Sequence, residues 1–331
     1  MQFVRDDESA VLDLSRSHFP SYAPELLSAR LNWLFEDPFG CYAWIGKTNG
    51  RVVGFLAYVS VPLLAMSRTV RAALGVDLMV APEFRRRGMA TALIAEGRAW
   101  LMKSGVSVGL GFTNSSSTRL AVGVGARHVG QLARYYIPVT PRARFLSQIS
   151  RLIVRPRPEP YQLLNRPATD EIEFGELPMK DFGELSTIRN GMGSVKIDRN
   201  RDYLLWLFSR QPKVSPRFVL AKQNGKAVGY AAYAVTHRRP FLRIGELLDV
   251  TAENPVIAHR LLSYLIRETE RVDFWMTNAL RGSQLTDVLR KVGFSWSLPN
   301  GDFVARIWTP HPDDASLMEA SNWHLTQADI I

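Results

Sequence analysis

The stretch that decides the fold of this chain reads Val76-Asp77-Leu78-Met79-Val80-Ala81-Pro82-Glu83-Phe84-Arg85-Arg86-Arg87-Gly88-Met89-Ala90-Thr91-Ala92-Leu93. The apolar run 76–80 predicts a β-strand, and Pro82 ends it because proline cannot donate a hydrogen bond to a sheet ladder. Apolar residues at helical spacing then predict a helix over residues 88–103. The stretch is therefore expected to form a strand, a short basic turn and a helix.

The turn between this strand and this helix has the features of an anion-binding site. Gly88 has no Cβ, so a ligand can approach the backbone closely there, and Ala90 keeps a neighbouring position small. The first N–H groups of a helix have no partner within the helix, and with the helix dipole they attract a phosphate group. Arg85, Arg86 and Arg87 add charge and forked donors. The turn is expected to bind a pyrophosphate; the alternative is a solvated basic turn.

The pattern Arg85-x-x-Gly88-x-Ala90, after a strand ending in Val80-x-Pro82, resembles the acyl-CoA-binding motif of the GNAT N-acetyltransferase superfamily. The resemblance implies that the loop amides hold the pyrophosphate of CoA and that the strand lies along the pantetheine arm. It implies acetyl-CoA, or another acyl-CoA, as co-substrate. The cofactor-binding residues that it implies are Leu78, Met79, Val80, Arg85, Arg86, Arg87, Gly88, Met89, Ala90, Thr91, Asn114 and Ser117.

The order of motifs around this stretch recurs in the second half of the chain. Trp33 is echoed by Trp206, the hairpin 49–58 by 224–233, residues 112–114 by 276–278, and Gly125 by Gly293. Matches that keep one order and a nearly constant separation indicate two copies of one fold. We therefore predict an α/β (α+β) protein with two GNAT-like domains, each a mixed central sheet flanked by helices.

The predicted domain boundaries follow from these repeats. An acyl-CoA-binding domain is expected at 1–140, a linker at 141–170, a degenerate GNAT-like domain at 171–310 and a tail at 311–331. The second copy lacks the basic glycine loop and has Asn254-Pro255 instead, which predicts an asparagine cap and a proline in the first helical turn. The second domain is therefore not expected to bind CoA.

The linker begins with a predicted basic amphipathic helix over residues 142–154, followed by an extended proline-rich segment at 155–160. Two interpretations remain open for the helix. It lies on an anionic membrane surface as a peripheral contact, or it packs between the domains against the core.

Bulk composition restricts the class of protein. The net charge of +10 favours acidic partners such as the phosphates of CoA, whereas dispersed arginines give no separate argument for nucleic acid. Cys41 is the single cysteine, so there is no internal disulfide framework. No apolar run is long enough for a transmembrane segment, and we expect a cytoplasmic location. No His/Cys/carboxylate spacing predicts a metal site.

The candidate catalytic residues are Asp77 and Tyr135. Acyl transfer to an amine needs a base or a water chain to take a proton, and an acid for the departing thiolate. Asp77 lies on the strand before the loop, where related enzymes place a carboxylate; its alternative role is to pair with an arginine. The family's usual tyrosine is replaced by Ala121, so Tyr135, its neighbour Tyr136 or water is expected to supply the proton.

The sequence thus predicts an acyl-CoA-dependent N-acyltransferase that acts on a small-molecule amine. Residues 322–326 resemble the tails of GNAT-like proteins from bacterial exopolysaccharide gene clusters, which suggests an amino sugar in polysaccharide biosynthesis as the acceptor. The alternative, favoured by the missing tyrosine, is a non-catalytic CoA-binding or assembly protein with a GNAT-like fold.

Overall fold

The computed structural model describes residues 2–3, 5–66, 68–151, 172–177, 182–189, 191–212, 215–239, 242–269, 272–310 and 314–330. The chain folds into two compact units. Unit 1 comprises Met1–Val129, Leu205–Lys213 and Asp302–Met318, and unit 2 comprises Gly130–Leu204, Val214–Gly301 and Glu319–Ile331. The expected proline-rich segment at 155–160 lies outside the described residues.

Ten α-helices and thirteen strands lie in the described part of the chain. The helices are α1 (Glu8–His18), α2 (Pro24–Phe35), α3 (Met89–Lys103), α4 (Ser115–Gly123), α5 (Pro141–Arg151), α6 (Phe182–Ser186), α7 (Arg201–Ser209), α8 (Pro255–Glu268), α9 (Gln284–Val292) and α10 (Asp314–Leu317). The strands are β1 (Cys41–Thr48), β2 (Arg51–Ala65), β3 (Arg68–Val80), β4 (Val108–Thr113), β5 (Arg127–Pro138), β6 (Ile172–Leu177), β7 (Val195–Ile197), β8 (Arg217–Gln223), β9 (Lys226–Arg239), β10 (Leu242–Ala252), β11 (Phe274–Leu280), β12 (Ser295–Ile307) and β13 (Trp323–His324).

The sheet of unit 1 has the order β1-β2-β3-β4-β12. Strands β1, β2 and β3 are antiparallel neighbours, β3 and β4 are parallel, and residues 302–307 of β12 run antiparallel to β4. The last strand of this sheet therefore comes from the C-terminal sequence repeat.

The sheet of unit 2 repeats this pattern as β8-β9-β10-β11-β5, with β6 added beside β8. Its neighbours are antiparallel except for the parallel pair β10 and β11. Here the last strand, β5, comes from the N-terminal sequence repeat. Each unit thus has a mixed set of strands flanked by helices, which confirms the predicted fold class, whereas the exchange of last strands was not predicted.

The two predicted hairpins share one backbone geometry. Asn49 and Gly50 have φ of 50° and 77°, and Asn224 and Gly225 have φ of 52° and 73°. Asparagine and glycine tolerate the left-handed region that such a turn requires, which fixes the register of the flanking strands.

Candidate functional site

A gap opens in the sheet of unit 1 between its two parallel strands. In the described part of the chain, β3 and β4 pair over four residue pairs, from Ala72–Val108 to Gly75–Gly111. Beyond these pairs β3 continues to Val80 beside β2, and β4 continues to Thr113 beside β12. The carboxyl halves of the two strands therefore diverge, and the predicted loop and α4 begin at the open end of this gap.

A β-bulge distorts β3 along the edge of the gap. Phe55 pairs with Met79 and Ala57 pairs with Val76, so Asp77 and Leu78 together face one residue of β2. Asp77 has φ of 51°, which is uncommon for a residue with a side chain. A bulge leaves its extra residue unpaired and redirects a side chain, and it places Asp77 off the regular strand.

The N-terminus of α3 is open, as the anion-site prediction requires. Gly88 occupies the cap position with φ of 82°, and no side chain caps the helix. The bond from the Ala92 N–H to the Gly88 carbonyl, at 2.9 Å, is the first helical bond, which leaves three preceding N–H groups without an intrahelical partner. A Cβ built on Gly88 meets no atom within 4 Å, so a ligand can reach this backbone.

The arginines of the loop are exposed, and two of them have local partners. The Arg85 Nε donates to the Val80 carbonyl at 3.1 Å, and its Nη2 lies 3.2 Å from Nε2 of His18. The Arg87 guanidinium lies 5.6 Å from the ring centroid of Phe84. The Arg85 contacts fix the loop to the end of β3, and the participation of His18 was not predicted from the sequence.

Glu83 of the loop forms an ion pair with Arg51 at 2.9 Å. Hydrogen bonding to its own backbone, together with Arg51 and Arg87, lowers the pKa of the Glu83 carboxyl. The carboxylate lies on the exposed side of the loop.

Asn114 and Ser117 order the N-terminus of α4 on the other side of the gap. The Asn114 Oδ1 accepts hydrogen bonds from the N–H groups of Ser116 and Ser117, each at 3.0 Å. The Ser117 Oγ accepts one from the Asn114 N–H at 2.9 Å. This reciprocal capping box places both predicted cofactor residues at the carboxyl end of β4.

Asp77 forms a two-pronged ion pair with Arg30 of α2. The Nη2 and Nε of Arg30 donate to the two carboxylate oxygens at 2.8 and 3.1 Å. Burial alone would lower the pKa of Arg30, but the Asp77 carboxylate outweighs it and raises that pKa. The arginine partner considered for Asp77 is thus present. Which arginine pairs with Asp77 depends on how α2 packs against the sheet.

Tyr135 lies in the core of unit 2. It is fully buried among residues that include Ala133 and Trp275, and burial raises the pKa of its hydroxyl. A buried phenol with a raised pKa is a poor proton donor to a ligand in a solvent-open gap. Ala121, where the family's tyrosine was expected, lies on α4.

A second perturbed carboxyl lies at the start of the unit 1 sheet. Asp37 is buried, and its Oδ1 accepts a hydrogen bond from the Phe39 N–H at 3.0 Å. Burial raises the pKa of Asp37 to about 7 against the effect of backbone hydrogen bonds, and burial also raises the pKa of the Cys41 thiol. The sequence did not predict this perturbed group.

The N-terminus of α8, the corresponding helix of unit 2, is capped by a side chain. The Asn254 Oδ1 accepts from the N–H groups of Val256 and Ile257 at 3.0 Å, with Pro255 in the first turn, which confirms the predicted cap. The backbone of Gly191 packs on the same connection, since a Cβ there would lie 1.8 Å from the Glu253 carbonyl oxygen. The N–H groups are satisfied internally and leave no open anion site.

The parallel strands of unit 2 also diverge, and the C-terminal tail bridges them. His324 Nε2 lies 2.7 Å from the Val250 carbonyl of β10. The Gln327 Oε1 accepts a hydrogen bond from the Asn278 N–H of β11 at 3.2 Å. Trp323 is fully buried. The chain's own tail therefore occupies the place that stays open in unit 1.

A buried ionic network anchors this tail. Arg199 pairs with Asp249 at 2.9 Å and with Asp329 at 2.8 Å. The Thr326 hydroxyl donates to Asp249 at 2.8 Å, and Tyr230 adds another donor to the same carboxylate. Arg199 holds the pKa of Asp249 below its ordinary value despite burial.

Across the described ranges, no helix is long and apolar enough to cross a bilayer. The same part of the chain contains no group of three or more His, Cys, Asp or Glu side chains arranged to hold a metal ion.

In the part of the chain that the structure describes, the protein is a two-unit α/β fold with an open gap between the parallel strands of unit 1. Residues 8–122 match the sequence profile of the Acetyltransferase (GNAT) family, and this part of the chain is a GNAT acetyltransferase domain. No curated protein matches the sequence.

Solved structures share the fold over most of the chain. A probable N-acyltransferase from Enterococcus faecalis is 16% identical, with a TM-score of 0.68 over 93% of this chain and 72% of that one. A GCN5-related N-acetyltransferase from Anabaena variabilis is 13% identical, with a TM-score of 0.65 and the same coverage. A tandem GNAT protein of the clavulanic acid biosynthesis pathway is 16% identical, with a TM-score of 0.53 over 93% and 97%. These likenesses confirm the tandem GNAT fold.

Proposed function

We propose that the protein is an acyl-CoA-dependent N-acyltransferase that uses acetyl-CoA and a small amine acceptor. The observation that carries the proposal is the difference between the two units, which share one strand order. In unit 1 the gap is open and α3 is uncapped at Gly88, whereas in unit 2 Asn254 caps α8 and the tail occupies the gap. Membership of residues 8–122 in the acetyltransferase family supports acyl transfer in general.

The residues of unit 1 fit CoA as a ligand. The N–H groups of Met89, Ala90 and Thr91 and the exposed loop arginines suit a pyrophosphate. Residues 78–80 along the gap, with Asn114 and Ser117 across it, suit an extended arm that carries amide groups. Bound acyl-CoA supplies the activated thioester.

The reaction also requires two proton transfers, one from the acceptor amine and one to the departing thiol. We assign to Asp77, held by Arg30, the task of taking a proton from the acceptor amine, directly or through water. Because Tyr135 is buried in unit 2, water is our preferred proton source for the departing thiol. An amino sugar remains the acceptor class that we propose to test first.

A non-catalytic CoA-binding protein is the second candidate. Three observations favour it: Ala121 replaces the family's tyrosine, Tyr135 is buried, and Asp77 is already engaged by Arg30. Both candidates predict CoA binding, and they differ in turnover.

Calorimetry with CoA tests the site, and we expect one CoA per chain. Release of free thiol from acetyl-CoA then tests turnover with a panel of amino sugars, polyamines and amino acids. Acceleration by an amine supports the enzyme. CoA binding with no acceleration by any amine supports the non-catalytic candidate, and absence of CoA binding contradicts both.

A further inference from the structure

The net positive charge of the chain arises in one long segment that has no acidic residues. No aspartate or glutamate occurs between Glu96 and Glu159. The segment carries ten basic residues, namely Arg98, Lys103, Arg119, Arg127, Arg134, Arg142, Arg144, Arg151, Arg155 and Arg157. This number equals the net charge of +10 for the whole chain. A segment of this kind attracts an anionic surface and has no internal carboxylates to neutralise it.

Helix α5 lies in this segment and presents two large apolar residues, Phe145 and Leu146, to solvent. Ala143 and Ser147, one turn apart, are buried. Phe145 is 63% exposed and Leu146 is 41% exposed. A helix that packs on a core normally buries its large apolar side chains. Here small residues face the protein, and an exposed aromatic and a leucine face outward, as at interaction sites.

The arginines of α5 stand beside these apolar side chains. Arg142 and Arg144 are exposed and lie three residues and one residue before Phe145, and α5 contains no acidic residue. The combination of apolar side chains with neighbouring arginines is the composition of helices that lie in the headgroup region of a membrane.

The helix is also held in place on unit 2. Thr140 precedes it, and its hydroxyl donates to Asp273 at 2.8 Å and accepts from the Ala143 N–H at 3.2 Å. The Val139 N–H donates to the Asp273 carbonyl at 2.8 Å. A helix anchored in this way presents its outer face without a folding cost on binding, which favours association.

We propose that α5 is a docking surface for membranes that contain anionic lipids. Phe145 and Leu146 insert at the boundary between headgroups and acyl chains, and Arg142 and Arg144 contact lipid phosphates. Lipid is favoured over nucleic acid because phosphate contacts alone give no role to two neighbouring exposed apolar side chains. This inference does not depend on acyl transfer.

Vesicle co-sedimentation of the full chain tests the proposal. We expect binding to vesicles of phosphatidylcholine with phosphatidylglycerol, little binding to phosphatidylcholine alone, and weaker binding at high salt. Arg142→Gln/Arg144→Gln should lower the partition coefficient by about tenfold or more. Phe145→Ser/Leu146→Ser should remove the binding that persists at high salt.

Matched control variants distinguish binding through this surface from non-specific binding to vesicles. Val256→Ser removes an apolar side chain that is also 63% exposed, on α8 of unit 2. Lys226→Gln/Arg267→Gln removes two exposed charges elsewhere. Both control proteins should bind like the unchanged chain. Equal binding to neutral vesicles, equal losses in the controls, or binding to DNA or an acidic protein without vesicle binding would overturn the proposal.

Discussion

Trp33 and Trp206 donate hydrogen bonds to each other's main-chain carbonyls. The Trp33 Nε1 lies 3.0 Å from the Trp206 carbonyl, and the Trp206 Nε1 lies 2.9 Å from that of Trp33. Their rings stack with centroids 4.6 Å apart and planes 7° from parallel. Each tryptophan comes from one sequence repeat, and both are buried in unit 1. A helix segment of the second repeat thus completes the core of unit 1.

The tryptophan pair should contribute measurably to stability. Trp33→Phe removes a donor from a buried carbonyl and part of a ring stack, and we expect a loss of about 2 kcal/mol in unfolding free energy. Trp206→Phe should cost about the same, and the double variant less than the sum because the two residues share their contacts. Denaturant titration measures all three.

Trp275→Phe is the matched control for this pair. Trp275 is fully buried, and its indole nitrogen has no hydrogen-bond partner among the described residues. This change should therefore cost less than either Trp33→Phe or Trp206→Phe. An equal loss of unfolding free energy in all three proteins would show that the smaller ring, and not the lost hydrogen bond, causes the destabilisation.

Gly88→Glu should abolish CoA binding in a folded protein. The new side chain and its negative charge would stand in the open space at the N-terminus of α3. Gly282→Glu is the matched control, since Gly282 has the same φ of 82° and equally open surroundings in unit 2. Calorimetry should show one site in the control and none in Gly88→Glu. Normal CoA affinity in Gly88→Glu would contradict the assignment of the loop.

Asp77→Asn distinguishes a catalytic from a structural carboxylate when it is compared with Arg30→Met. Both variants break the same ion pair and should lose similar stability. If Asp77 takes the proton, Asp77→Asn should lower kcat by about 10²–10⁴-fold with little change in CoA affinity. Arg30→Met, which keeps the carboxylate, should retain more activity. Equal losses of rate in the two variants would assign Asp77 to structure.

Arg199→Met should destabilise unit 2 strongly. It leaves the carboxylates of Asp249 and Asp329 buried without their cation, for which we expect a cost of about 3–5 kcal/mol. Arg210→Met is the comparison, because Arg210 pairs with Glu36 at 3.8 Å with both side chains about half exposed. That change should cost below about 1 kcal/mol. Thermal unfolding of both proteins provides the measurement.

As the pH rises from about 4 to about 7, the ionisation of Asp37 should lower the free energy of unfolding. Its pKa in the folded protein is about 7, whereas an unfolded aspartate titrates near 4. In this window the folded state keeps a proton that the unfolded state has released, so rising pH favours unfolding. Asp37→Asn removes this effect and should raise stability above pH 7 by up to about 4 kcal/mol, since one pKa unit corresponds to about 1.4 kcal/mol.

Unfolding measured at several pH values checks this prediction. Asp13→Asn is the control, because Asp13 is exposed on α1 and its replacement should not reproduce the effect of Asp37→Asn. A pH profile of Asp37→Asn that runs parallel to that of the unchanged chain would refute the role of Asp37.

Parts of the candidate site could be predicted because local sequence specifies them. Gly88 adopts the left-handed cap that only glycine adopts at no cost, and Asn254 caps α8 as its position before a proline indicates. The Arg30–Asp77 pair could not be predicted, because it joins residues on two elements far apart in sequence.

The sequence by itself determined the repeated strand order, the two hairpins, and the contrast between the glycine loop at Gly88 and the capped helix after Asn254. These features depend on backbone conformations and hydrogen bonds within a few residues. The tertiary structure decided that β5 and β12 complete the sheets they join and that the tail around Gln327 occupies the gap of unit 2. Which segment pairs with a given sheet edge depends on the relative free energies of segments that are distant in sequence. Short-range sequence patterns do not encode those relative free energies.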